Sequence, residues 1–307
     1  MSFSTTVKEE LVRIKSRREP VKRAQLAAIT HVAGVLRLGR AFGVEYVTET
    51  QDLGKHIVSL ASGLYDVRAE LSLRDTQQRR QSLMVAAFYG TGCEKLLYDA
   101  GLFLRTTAGV ELIQRVPQEL LADEECKRAF LRGAFLGAGS CSTPKRAYHL
   151  EIVCRGEPFA QFLCQMMEEY DCGAKIVLRK EKPVVYLKEG DRIAAFLTLI
   201  GASGATLAFE DVRAEKELRN YINRTSNCET ANIGKTVNAA AEQVDAIRLL
   251  QERMGLNRLP LVLRETAELR LNYPEASLPE LCELAGVSKS CIYHRLQRIV
   301  RLAREME

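Results

Sequence analysis

The nine cysteines of this 307-residue chain, at positions 93, 126, 141, 154, 164, 172, 228, 282 and 291, include no CxxC pair. An odd count without paired spacing argues against a zinc site and against a disulfide framework. Most are flanked by apolar residues, so they read as small buried hydrophobes of a protein kept in a reducing cytoplasm. No apolar run approaches the roughly 20 residues that span a bilayer, and the N-terminus lacks the apolar core of a signal peptide. A soluble intracellular protein with no membrane partner is expected. A large excess of charge is missing too: 44 basic residues stand against 39 acidic ones. That balance excludes a histone-like coat for nucleic acid but leaves room for one basic part on a near-neutral body. At this length two domains with real cores are expected.

One local absence is more pointed. From Ser288 to Arg304 there is no acid at all, whereas five glutamates lie between Glu265 and Glu283. Residues 277–296 read SLPELCELAGVSKSCIYHRL. Leu278, Leu281 and Leu284 repeat at three-residue steps and predict a short helix, with Cys282 and Ala285 able to face a partner. Gly286 ends it, because glycine accepts the left-handed conformation that turns the chain. Ser288 can cap a second helix whose apolar stripe is Ile292, Leu296, Ile299 and Ala303. The spacing predicts a helix-turn-helix over residues 277–304. Opposite the stripe fall Ser290, His294, Gln297, Arg298 and Arg301, with Lys289, Tyr293 and Arg295 beside them. Serine and glutamine can bond base edges, arginine can fork onto guanine or phosphate, and the start of the helix offers free N–H groups to a phosphate. A basic helix packed on a protein partner is the competing account.

Upstream, the pattern alternates between helical and strand-like runs. After a capping-box spacing at Thr6 and Glu9, with Val7, Leu11 and Ile14 on one face, comes a basic run over residues 15–23, broken by Pro20 and expected to be a solvated connector. The order that follows is helix (24–36), strands (35–38, 44–47), helix (52–64), strands (67–73, 82–88), helix (93–102). A similar order recurs about one hundred residues later: helix (124–137), strand (148–154), helix (158–170), strands (175–178, 184–187), helix (191–200). This predicts an α+β fold with a pseudo-symmetric duplicated αββαββα domain. Two nearly uncharged helices, LAAITHVAG at 26–34 and LRGAFLGAG at 131–139, would cross where the copies meet. Past residue 200 the strand signal stops. Helices are expected over 210–223 and 231–254, jointed at the polar segment 223–236, and over 261–271. The expected divisions are residues 1–23, 24–203, 204–256 and 257–307, the last an all-α DNA-binding part.

The paired small-residue helices resemble the LAGLIDADG homing endonucleases, which implies sheets forming a saddle over DNA. In that family the eighth motif residue is a metal-holding acid; here the two positions are Ala33 and Ala138. A methyl group cannot ligate a hard cation, so no catalytic residue, metal or cofactor is expected. His31, two residues earlier, is expected to be a packed or surface histidine. The connector NRTSNCETANIGKT (223–236), the run LPLVLRETAELRLNYPEASLPEL (259–281) and SKSCIYHRL (288–296) further resemble the WhiA family across essentially the full chain. That resemblance implies a promoter-binding transcription regulator linked to cell division, chromosome segregation and, where the host sporulates, sporulation, located in the cytoplasm at the nucleoid. Two other classes stay open: a scaffold acting on RNA polymerase or a partner transcription factor, and an endonuclease with relocated metal ligands. Strand bases such as Arg37, Arg40, Arg179 and Lys180 are mixed with Glu45, Glu70 and Glu181, which leans the double domain toward the scaffold role.

Overall fold

The computed structural model describes residues 2–37, 42–76, 81–107, 109–145 and 147–306. Leu38 and Arg40 lie outside them. The chain divides into two compact units, Met1–Lys216 and Glu217–Glu307.

The first unit opens with α1 (Phe3–Leu11), capped by Ser2, whose side chain accepts from Thr5 N–H. The expected start at Thr6 is therefore too late, and Ile14 falls beyond the helix. Helix α2 (Glu19–Ala33) also begins earlier than expected. Pro20 does not break it, because in the first helical turn its missing N–H costs nothing and its fixed φ suits the helix. Then follow β1 (Val35–Arg37), β2 (Gly43–Thr48), α3 (Gln51–Leu64), β3 (Arg68–Thr76), β4 (Gln81–Tyr89) and α4 (Thr91–Asp99). A hairpin not expected from the pattern, β5 (Phe103–Thr106) with β6 (Gly109–Leu112), leads to the second copy. That copy comprises α5 (Glu124–Ala138), β7 (Gly139–Cys141), β8 (Leu150–Val153), α6 (Glu157–Glu168), β9 (Lys175–Arg179), β10 (Lys182–Leu187) and α7 (Gly190–Ile200). Strand β7 was not expected: its three residues Gly-Ser-Cys carry no β-branched or aromatic signal, and it forms only by pairing with β8. With it the duplication is complete. The two antiparallel sheets have matching orders, β1-β2-β4-β3 and β7-β8-β10-β9.

Helices α2 and α5 meet as the small residues require. A Cβ on Gly133 would stand 2.2 Å from the Gln25 carbonyl oxygen, and one on Gly137 2.5 Å from Val32 Cγ2. Around the crossing, Ala28, Ile29, Leu131, Ala134 and Phe135 are fully buried. Backbone cannot retreat as a side chain can, so Gly133→Ala is expected to cost about 1–3 kcal/mol through overpacking. Thermal unfolding checks it against Gly234→Ala, a helical position with open space around it. The second variant should be neutral or stabilising by about 0.5–1 kcal/mol.

Helix α8 (Ser203–Arg253) has parts in both units and is unbroken. The joint expected at residues 223–236 is absent. Thr225 and Thr236 turn their hydroxyls onto the carbonyls four residues back, Tyr221 and Asn232, so these polar side chains bond within the helix instead of capping a break. Past α8, α9 (Leu261–Asn272), α10 (Leu278–Ala285) and α11 (Lys289–Arg304) close the second unit. Their core includes Leu263, Ala267, Leu281, Ile292, Leu296 and Ile299, together with Ile247 and Leu250 from the end of α8. A fragment starting at residue 257 would therefore lose part of its own core.

Among the described residues, no helix is long and apolar enough to cross a membrane. The nine cysteines are free and five are buried. Burial pushes the Cys141 and Cys154 thiols up to about 12, so they stay protonated and serve as packing.

Candidate nucleic-acid interface

Local chemistry sets the helix-turn-helix geometry. Ser277 caps α10 in a complete capping box: its side chain accepts from the Glu280 N–H while the Glu280 carboxylate accepts from the Ser277 N–H at 2.7 Å. Those bonds hold the Glu280 carboxyl below its usual range. Gly286, at φ 64° and ψ 30°, ends the helix in the left-handed conformation, where a side chain would be strained. Ser288 then caps α11 through the Cys291 N–H.

Helix α11 buries Ile292, Leu296, Ile299, Val300 and Ala303. Each large apolar side chain so covered contributes about 1.5–3 kcal/mol, enough to fix which face points out. That outer face carries Lys289, Ser290, Tyr293, His294, Gln297, Arg298 and Arg301, all exposed, with Ser288 exposed at the cap. Tyr293 is 48 % exposed and its ring meets that of His294 edge-on. Arg295 is half-buried on the flank, which settles the register of the last turns. Two details differ from expectation. Leu284 points outward at 51 % exposure, leaving Leu281 and half-buried Leu278 to anchor α10. Arg304 is spent on Glu242 at 2.5 Å.

Sequence reasoning missed Arg270. It lies on α9, 2 % exposed, and its Nη1 donates to the Ala276 carbonyl at 2.5 Å, with the Tyr273 and Pro274 carbonyls at 3.4 and 3.5 Å. Burial lowers its pKa from the ordinary value. The guanidinium ties the end of α9 to the turn that launches α10. An arginine in an amphipathic helix carries no signal that it will fold inward.

In the first unit, Ala33 and Ala138 are the final residues of α2 and α5, partly buried against the core. Among the described residues, no cluster of three or more His, Cys, Asp or Glu side chains could hold a metal ion. His31 is a packed residue: 4 % exposed, stacked on Phe159, with Nε2 at 2.7 Å from the Ala100 carbonyl. Burial lowers its pKa to about 4. Three of the strand bases, Arg37, Arg74 and Arg179, are engaged by a contact that both copies repeat. Glu45 on β2 accepts from Arg37 on β1 and, across β4, from Arg74 on β3 at 3.0 Å. Glu151 on β8 accepts from Arg179 on β9, across β10, at 2.7 Å and is 2.8 Å from His149 Nε2.

Fold and surface together define the class: a duplicated LAGLIDADG-like α+β unit, with alanine at both motif acid positions, in one chain with a helix-turn-helix unit. Family models agree along the chain. The WhiA N-terminal LAGLIDADG-like domain matches residues 19–103, the WhiA LAGLIDADG-like domain 127–219 and the WhiA C-terminal HTH domain 222–303. The chain belongs to the WhiA family. It is 37 % identical to the probable cell division protein WhiA of Alkaliphilus metalliredigens, covering 99 % of this chain and 98 % of that one. To the protein of the same name from Clostridium beijerinckii it is 39 % identical, over 100 % and 99 %. The crystal structure of full-length DUF199/WhiA from Thermatoga maritima is similar at 26 % identity, with 99 % of each chain covered and a TM-score of 0.61.

Proposed function

We propose that this protein is a non-enzymatic, sequence-specific DNA-binding transcription regulator, and that α11 reads the major groove of promoter DNA. The observation that carries the proposal is the outer face of α11: every exposed position from Ser288 to Arg301 is basic or hydrogen-bonding, and none is acidic. Ser290, His294 and Gln297 are assigned to base edges. Lys289, Arg295, Arg298 and Arg301 are assigned to phosphates or guanine, and Ser288 and Tyr293 to the backbone at the helix start. The DNA-contacting residues are placed within 257–307, whose core the end of α8 completes, with residues 204–256 as the helical linker that carries that end. The names of the relatives support a role in cell division; chromosome segregation and, where the host sporulates, sporulation are the processes it would serve, at the nucleoid in the cytoplasm.

Salt dependence tests this. With Arg304 engaged by Glu242, the four other cations of α11 supply about four phosphate contacts, so duplex affinity should fall about 100-fold between roughly 50 and 200 mM salt. A flat titration by fluorescence anisotropy would move the function to a protein partner. A specific observation favours a supporting version of that role for the first unit: Glu45 and Glu151 engage Arg37, Arg74 and Arg179, three of the bases a DNA saddle could use. That unit is assigned to RNA polymerase or a partner transcription factor. Methyl groups at 33 and 138 leave no ligand for a catalytic metal there, and supercoiled plasmid should stay intact in magnesium.

A further inference from the structure

The first unit contains a cavity that none of the roles above uses. Its volume is about 890 Å³, and its walls are the segment that follows α1 together with α2 and α3, with no strand contributing. Five cations line it: Arg13, Lys15, Arg17, Lys22 and Lys55. Among the described residues none of the five is ion-paired, and Asp52 is the only carboxylate in the lining. The contrast within one basic run is informative. Arg18 is engaged by Asp123 and Glu125, and Arg23 by Glu19 and Asp99, whereas Lys15, Arg17 and Lys22 of the same run line the cavity.

The lining also holds two buried polar groups without partners. Gln25 is 4 % exposed and its Nε2 has no hydrogen-bond acceptor; His56 is 9 % exposed and its Nε2 is unpartnered as well. Buried polar atoms are rarely left in this state, and here two share one cavity. Burial, then the charges of Arg132 and Lys15, lower the His56 pKa to about 4. The ring is neutral near pH 7 and sits in a positive field.

We propose that this cavity binds a small, multiply phosphorylated molecule, its charge held by the lining cations and a phosphate oxygen accepting from Gln25 Nε2. Five cations less one carboxylate leave a formal excess of four. A monocarboxylate would leave most of that unbalanced, while an oligophosphate matches it in charge and in acceptor oxygens. The depth of Gln25 and His56 selects a free ligand over a nucleic-acid backbone. A terminal phosphate can enter a cavity, whereas the phosphates of a duplex stand on a convex cylinder and reach only the rim.

Isothermal titration of the full chain with inorganic triphosphate tests the proposal. One equivalent should bind. The exposed pair Lys15→Ala with Lys55→Ala should weaken binding about tenfold or more, through the loss of two charge-assisted contacts. A charge-matched control, Lys175→Ala with Lys182→Ala on the second sheet, should change it less than about twofold, since those charges are remote and screened. No binding by the native chain, or equal losses in the two pairs, overturns the proposal. So does a cavity pair that weakens duplex DNA binding while triphosphate affinity holds, which would make this surface a nucleic-acid contact.

Discussion

Replacing Gln297 by alanine is expected to cost the full chain about 1–3 kcal/mol of affinity on its preferred duplex, roughly 5- to 150-fold, and close to nothing on random DNA. The carboxamide stands at the centre of the exposed face of α11, carrying a donor and an acceptor in fixed geometry and no charge. Such a group can discriminate base edges but adds little to non-specific attraction, which is electrostatic. Arg298→Ala should behave in the opposite way. It removes a point charge on the flank of the same face, so binding should weaken on specific and random duplexes alike and the salt slope should fall by about one. Measuring both variants on both duplexes at two salt concentrations separates the roles. Equal losses in all four combinations would refute the assignment of Gln297 to a base edge and of Arg298 to a phosphate.

Arg270→Ala should destabilise the second unit by about 3 kcal/mol, with a corresponding drop in its unfolding midpoint. Two effects compete. Removing a buried guanidinium relieves its desolvation, which favours the variant. Against that, the 2.5 Å bond to the Ala276 carbonyl is lost, the nearby Tyr273 and Pro274 carbonyls lose their donor, and a large buried side chain leaves a void. The loss should win, because the carbonyls belong to a tight turn that cannot refold around water without moving α10. Arg270→Met, which keeps the volume but not the bonds, should recover part of the stability. If Arg270→Ala unfolds at the native midpoint, the guanidinium is not what holds the turn between α9 and α10.

How legible a feature was depended on how far apart its partners lie in the chain. The helix-turn-helix could be read because its determinants are local: Gly286 must take a positive φ, Ser288 caps within three residues, and the stripe from Ile292 to Ala303 repeats at helical spacing. The two small-residue helices were legible for the same reason, and their resemblance to the LAGLIDADG motif picked out Ala33 with Ala138. The cross-sheet pairs were not. Glu45 and Arg74 are separated by 29 residues and Glu151 and Arg179 by 28, and only the strand order sets them across a shared neighbour. Strand β7 and Arg270 escaped notice because the residues concerned show no propensity for what they do. The unbroken course of α8 was misread because threonines that could cap a break bond back along the helix instead.

Periodicity and punctuation by themselves determined that this chain has a duplicated α+β part and a helix-turn-helix, since each is written in residues a few positions apart; that its two motif positions lack an acid came from the resemblance to the LAGLIDADG family. Tertiary structure alone decided which charges are free. Whether an arginine on a strand, in the basic run or on α9 meets a carboxylate, a carbonyl or solvent depends on chain segments brought together by folding. Coulombic and hydrogen-bond partners are chosen by distance in space, which the order of residues does not contain.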